Sequence, residues 1–198
     1  KFKIETGINF LRIQGFNRPE QGYGDNSVAQ KFYQWGQRQL DFSKMKDYKL
    51  SNGMQRSWNR TAWNNGEPYY SDNPYWTINE NVSNDRRNRF YGSAGMTYNI
   101  LPNLFAVGKI YADIYSQDND NRVAIGSQAV SGFSTFKRNF TEFNYEGRLH
   151  WNPEISENFS LQTFVGANRR NLKRSDLNGA TRGGLIIPNF YNLKNSIN

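Results

Sequence analysis

Alternation constrains this chain more than any other feature: five separated segments place apolar residues at every second position, over about the 9–11 residues that a tilted membrane-spanning strand requires. In the first, at about 1–13, Phe2, Ile4, Ile8 and Phe10 oppose Lys1, Lys3, Glu5 and Asn9. In the second, at about 88–100, Phe90, Ala94, Met96, Tyr98 and Ile100 oppose Arg89, Ser93, Thr97 and Asn99. In the third, at about 104–114, Leu104, Ala106, Ile110 and Ile114 oppose Lys109, Tyr111 and Asp113. The fourth, at about 137–151, sets Phe143, Tyr145, Leu149 and Trp151 against Asn144, Glu146, Arg148 and His150. The fifth, at about 159–170, sets Phe159, Leu161, Val165 and Ala167 against Ser160, Gln162 and Asn168. Successive strand side chains point to opposite faces, so each segment has one apolar and one wet face. The expected class is all-β and antiparallel.

The connections alternate too. Leu101-Pro102-Asn103 and Asn152 to Asn158 read as short turns, whereas about 70 residues follow the first strand and about 20 follow the third. Short turns on one side and long loops on the other match a transmembrane β-barrel, with extracellular loops at about 15–84 and 116–135. The longer loop is expected to hold structure of its own. Ser27-Val28-Ala29-Gln30 reads as a capping box, Val28, Phe32 and Trp35 follow at helical spacing, and Gly36 suits a C-terminal cap. Five up-and-down strands leave open edges, so the chain is expected to be one part of a larger barrel.

Composition fits that reading. The hydrophobic share of 36% is low and the aromatic share of 16% high, as expected where only alternate residues face lipid and aromatic girdles flank them. A mean hydropathy of -0.86 therefore does not exclude a membrane. No apolar run approaches the ~18 residues of a spanning helix. No signal peptide opens the sequence, so either processing removed what came before or this is an internal piece. The absence of Cys excludes disulfides and thiolate chemistry.

Catalytic readings are weak. His150 sits on a polar strand face near a turn, where a hydrogen-bonded structural role is expected. Asp118-Asn119-Asp120-Asn121 offers oxygens for Ca²⁺, but Arg122 interrupts the pattern and a solvated loop tip is expected. Glu67, Asp72 and Glu80 form no recognisable catalytic pair. No enzyme activity, metal or cofactor is expected.

Ligand binding is better supported. In the long loop Trp35, Trp58, Trp63, Tyr69, Tyr70, Tyr75 and Trp76 interleave with Asn59, Asn64, Asn65, Asn73 and Asn79, a chemistry suited to sugars or peptides. Trp58, Trp63, Tyr70 and Trp76 are the candidate contacts, alongside a small aromatic core as their other role. In GGLIIPNFYNLKNS, Gly183 to Ser196, a short apolar strand is expected to stop at Pro188, leaving Phe190 and Tyr191 on an aromatic-amide surface.

A net charge of +8 is concentrated at the long-loop ends. Arg86, Arg87 and Arg89 open the second strand, Lys137 and Arg138 precede the fourth, and Arg169, Arg170, Lys173 and Arg174 close the fifth. They suit lipopolysaccharide phosphates or luminal carboxylates. Nucleic acid is the alternative that basic charge plus aromatics raises, but no recognition motif accompanies them and nucleic acid is not an expected partner.

Several strings, taken in order, resemble the SusC/RagA family of TonB-dependent outer-membrane importers: FLRIQGFNRPEQGYG at Phe10 to Gly24, QWGQRQLD at Gln34 to Asp41, DNPYW at Asp72 to Trp76, RNRFYG at Arg87 to Gly92, GANRR at Gly166 to Arg170, and GGLIIPNFYNLKNS. The resemblance implies a barrel of about 22 strands, an N-terminal plug and TonB coupling through regions outside this chain, and a SusD-like surface lipoprotein as partner. It implies import of glycans or, in RagA-like members, oligopeptides. Two rivals stay open: a soluble carbohydrate-binding β-sandwich, and a structural barrel in a secretion or adhesion machine.

Overall fold

In the computed structural model the described residues are 1–18, 20–157 and 159–198. Pro19, in the expected break from strand to loop, and Asn158, closing the expected turn, lie outside them. The elements in order are β1 (Phe2–Phe16), α1 (Val28–Tyr33), β2 (Arg60–Ala62), β3 (Asn65–Pro68), α2 (Pro74–Glu80), β4 (Ser83–Leu101), β5 (Leu104–Val123), β6 (Gly132–Trp151), β7 (Glu154–Ser156), β8 (Phe159–Ser160) and β9 (Thr163–Ala180), with 3₁₀ turns at Phe42–Lys46 and Leu193–Asn195. The chain is all-β, built on one large antiparallel sheet in the order β1-β4-β5-β6-β9. Among the described residues the sheet is open, with β1 and β9 at its edges. β2–β3 and β7–β8 are separate hairpins.

The strands outrun their hydrophobic signal. β4 begins at Ser83 and β5 runs to Val123, because the polar ends pair across the ladder. Arg89 donates two bonds to Asp113, at 2.8 and 2.7 Å, and Arg87 donates to Gln117 at 2.6 and 3.1 Å. Arg86 reaches Asp118 at 3.3 Å, and Asn84 donates to Asp120 at 3.4 Å. The expected loops contract to 17–82 and 124–131, and Asp118 to Asn121 lie in a strand, not at a loop tip. The fifth strand starts later than expected, at Thr163. Phe159 and Ser160 pair locally with β7, so Leu161 and Gln162 precede the main ladder.

Contacts group the residues into two units. The first comprises Lys1–Ile13, Arg87–Gln117 and Lys137–Asp176; the second comprises Gln14–Arg86, Asp118–Phe136 and Leu177–Asn198.

Among the described residues the first unit is sheet without a buried apolar core. The buried hydrophobic residues Trp76, Ala124 and Leu185 all belong to the second unit. Cross-strand contacts sort its side chains. Phe2 meets Tyr98 on the apolar face, with ring centroids 5.9 Å apart. On the opposite face Phe105 stacks on His150 at 4.6 Å, Tyr115 on Phe140 at 4.8 Å, and Arg170 grips Glu142 with two bonds of 2.8 Å. The backbone bonds from Asn99 N–H to Lys1 O, at 3.1 Å, and from Asn152 N–H to Asn103 O, at 2.8 Å, fix the register. With Gly95 set against Lys109 on β4 and β5, and His150 against Phe164 on β6 and β9, Phe2, Tyr98, Ala106, Leu149 and Val165 form one row across the apolar face. Gly92, from the RNRFYG string, lies where β1 and β4 approach closely; a side chain there would collide with the Gly7 carbonyl.

The second unit is held by buried polar groups more than by apolar ones. Gln55 donates to Asp72 at 2.6 Å and to Gly126 O at 2.8 Å, and accepts from Asn73 N–H at 2.8 Å. Asn81 accepts from Ala124 N–H and the Ser127 hydroxyl, both at 2.9 Å. Asp72 accepts from Gln128 N–H at 2.7 Å. Satisfied networks of this kind hold a loop in one conformation, since every broken bond strands a buried partner.

α1 forms as expected at its start: Ser27 accepts from Gln30 N–H at 3.4 Å. The capping box stays half-made, because the Gln30 side chain accepts from Gly24 N–H at 3.0 Å instead. The helix is capped at Gln34, before Gly36. The stretch after Gly183 is a folded turn and not the expected strand. Among the described residues its ladder contact is the isolated bridge of Leu185 with Ser196, and buried Asn195 donates to Ile187 O at 2.8 Å and Phe190 O at 2.6 Å. Gly183 and Gly184, at φ of 71° and 113°, take the left-handed conformations that start it.

Candidate functional site

α1 and the segment after β3 bring an aromatic cluster together within the second unit. Asn59 fixes that segment by accepting from Tyr70 N–H at 2.6 Å and Ser71 N–H at 3.1 Å. Tyr70 then stacks on Trp35, with centroids 5.6 Å apart and planes 10° from parallel, and Tyr69 packs edge-on against it. Beneath, Trp58 donates its indole N–H to Trp35 O at 3.1 Å and meets Phe42 edge-on, and Phe42 meets Phe32 at 4.5 Å. Tyr23, Asp25, Gln30, Lys31, Trp35 and Tyr70 line a cleft of about 300 Å³. The Gln34 amide bonds both the Tyr23 hydroxyl and Gln30, holding that wall in place. Rings set beside amides can stack on the C–H face of a polar ligand while the amides bond its hydroxyl or peptide groups.

Charge under this surface is tuned by burial. Lys31 is only 3% exposed, and burial pushes its ammonium down despite Asp72, Asp25 and Glu20 nearby. Burial pushes the Asp72 carboxyl up, partly offset by the bonds from Gln55 and Gln128 and by the Lys31 charge. Tyr191 is pushed up by burial and by the Glu80 carboxylate, while Arg122 lies over its ring at 5.3 Å.

The structure separates the four candidate loop aromatics. Trp63 is 89% exposed at the tip of the β2–β3 hairpin, and Tyr70 is 55% exposed on the cleft. Trp58 is half-buried support. Trp76 is corrected: at 1% exposure, with its indole N–H bonded to the Ser127 hydroxyl at 2.8 Å, it has no face left for a ligand and serves as packing. Phe190 is exposed, while Tyr191 is partly covered. Tyr23 and Gln30 join the cleft unannounced; the Gln30 capping-box position was their one trace in the sequence.

The basic clusters resolve by face. On the polar face each arginine of the first unit has a partner: Arg89 with Asp113, Arg138 and Arg174 with Asp176, Arg148 with Glu146, Arg170 with Glu142, and Arg87 with Gln117. Lys137, Arg169 and Lys173 have odd positions on β6 and β9, the parity of the apolar face. Arg86 pairs with Asp118 in the second unit. His150 is sandwiched between Phe105 and Phe164, a packing role. Glu80 accepts from Tyr48 and pairs with Lys49, both at 3.1 Å, and Asp72 is committed to the buried network. Among the described residues no group of three His, Cys, Asp or Glu side chains could hold a metal.

No protein-family model matches this chain, and no curated protein matches it.

Proposed function

We propose that this chain is a section of the wall of a TonB-dependent outer-membrane transporter of the SusC/RagA kind, importing oligosaccharides together with a SusD-like lipoprotein. The carrying observation is the uncovered apolar face of the first unit. On β5 it runs from Leu104 to Ile114, about 34 Å along a strand, which at a tilt of about 45° projects to about the 25 Å apolar band of outer-membrane barrels. Aromatic residues mark both margins: Tyr98 and Trp151 toward the short turns, Phe10, Phe90 and Phe143 toward the long connections. A soluble sandwich needs a second sheet over such a face, and among the described residues the first unit adds to its share of the large sheet only the short β7–β8 hairpin, of three and two residues. The opposite face carries charges neutralised by one another, as suits a polar lumen.

Glycan import rests on the cleft of Tyr23, Trp35 and Tyr70 and on the family resemblance. Cysteine accessibility in the full-length protein tests the membrane reading. With a water-soluble thiol reagent, Ile4→Cys, Met96→Cys, Ile110→Cys and Leu149→Cys are expected to stay unlabelled in intact outer membranes. Lys3→Cys, Thr97→Cys, Lys109→Cys and Glu146→Cys are expected to react. Equal labelling of both sets would refute a lipid-facing sheet.

A further inference from the structure

We infer that the apolar face of the first unit carries a docking site for a phosphorylated, acylated amphiphile, made by Arg12, Lys137, Arg169 and Lys173. The inference rests on the membrane reading and extends it to the headgroup of the lipid.

The evidence is how cations divide between the two faces. Every arginine of this unit on the polar face is held by a carboxylate or, for Arg87, by an amide, and Lys3 pairs with Glu5, while half-buried Lys109 is a polar-face cation without an ion pair among the described residues. On the apolar face Arg12, Lys137, Arg169 and Lys173 are exposed, and among the described residues none has a carboxylate within ion-pair distance. Arg169 donates only to Asn171, at 3.3 Å. Their placement is one-sided as well. Arg12 follows Phe10 on β1, and Lys137 lies beyond Phe143 on β6. Arg169 and Lys173 follow Ala167 on β9. Within the first unit all four therefore sit past the last apolar residue of that face in the direction of the long connections. Toward the short turns the same face ends in Ile100, Leu104, Trp151 and Thr163, without a cation. A strand tilt of about 35–45° carries the hydrogen-bonded rows obliquely across the sheet, so the margin crosses β9 and β1 at different row positions.

Unpaired cations bordering an apolar surface fit a ligand with acyl chains and phosphates. The chains cover the Ile and Phe rows, and guanidinium and ammonium groups pair with phosphate oxygens. A peptide partner would satisfy the charge but leave the apolar rows without chain cover, and a free phosphate would leave them bare.

The test uses the full-length protein in nanodiscs of phosphatidylcholine doped with bisphosphorylated lipid A or with its dephosphorylated form. Retained lipid is counted by native mass spectrometry. The wild type is expected to retain lipid A, but not the dephosphorylated form, and to keep it against millimolar inorganic phosphate. Each single change, Arg12→Gln, Lys137→Gln, Arg169→Gln or Lys173→Gln, should weaken retention roughly fivefold, and the quadruple variant should abolish it. Arg170→Gln, on the opposite face, should leave it unchanged. Wild-type retention in the quadruple variant, equal retention of the dephosphorylated lipid, or displacement by inorganic phosphate would each overturn the docking site. Labelling of Ile110→Cys by the aqueous reagent in the same discs would overturn the membrane reading along with it.

Discussion

Asp72 shows how a single buried residue links this molecule's stability to pH. Its carboxylate accepts from Gln55 and Gln128 N–H, and its folded-state pKa is raised above 3.8 because burial outweighs those bonds. A raised carboxyl favours the folded state fully below its unfolded value, and that contribution is lost as pH rises through the folded value. The stability of the second unit, read by denaturant unfolding with tryptophan fluorescence, should therefore carry a component that declines upward from about pH 4. Asp72→Asn should remove that slope while costing stability overall, because an amide nitrogen would then face the Asn81 amide across 3.5 Å. An unchanged slope would show that Asp72 does not titrate there. The two tryptophans Trp76 and Trp63 should divide just as cleanly. Trp76→Ala removes a fully buried ring and should cost about 3–5 kcal/mol. Trp63→Ala should stay within about 0.5 kcal/mol yet, on the proposed function, lower uptake of the oligosaccharide. Wild-type uptake by both Trp63→Ala and Tyr70→Ala would leave this surface as scaffold.

Among the elements, α2 shows what a short helix needs in order to hold a loop. Pro74 opens it in the conformation its ring prefers, and Asn73 caps it by accepting from Tyr75 N–H at 2.8 Å. The same Asn73 amide donates to Met45 O at 3.0 Å and Arg56 O at 2.7 Å, tying three segments together. Asn73→Ala should cost about 2–4 kcal/mol, a lost cap plus two stranded carbonyls, whereas Ser27→Ala at α1 should cost about 1 kcal/mol. Equal losses in denaturant unfolding would mean that the two carbonyls find water instead. Of the two helices α1 was legible from its capping box, whereas this one is not among the sequence expectations, although the asparagine before a proline in DNPYW is a start signal. The strand cores were legible too, since period two survives in Phe2 to Phe10 and Leu104 to Ile114. Their polar extensions were not, because pairing of Arg86 with Asp118, or Arg89 with Asp113, depends on a register that no local window contains. The burial of Trp76 was hidden for the same reason: its partner Ser127 lies far along the chain, and an exposed and a buried tryptophan look alike in a loop of mixed polarity.

For the whole molecule, the question is what covers an apolar sheet face that the chain itself leaves bare. Ile4, Met96, Ile110 and Leu149 are each at least 40% exposed, which in water would invite association. In a bilayer the same exposure is stabilising, and its depth profile distinguishes the two environments. Ile110 lies near the middle of the apolar stretch of β5 and Ile114 at its margin, on the same face and about 14 Å apart along the strand. Arginine at a bilayer midplane costs about 2–4 kcal/mol and near an interface about 0–1 kcal/mol. On the proposed membrane reading, Ile110→Arg should thus destabilise the full-length protein in lipid vesicles by about 2–4 kcal/mol and Ile114→Arg by at most about 1 kcal/mol, measured by denaturant unfolding from the bilayer. On a face covered by another protein layer both arginines would be buried against packed side chains, and the two losses would be comparable. A steep difference between two positions on one face, two repeats of the pleat apart, points to a solvent whose polarity changes with depth.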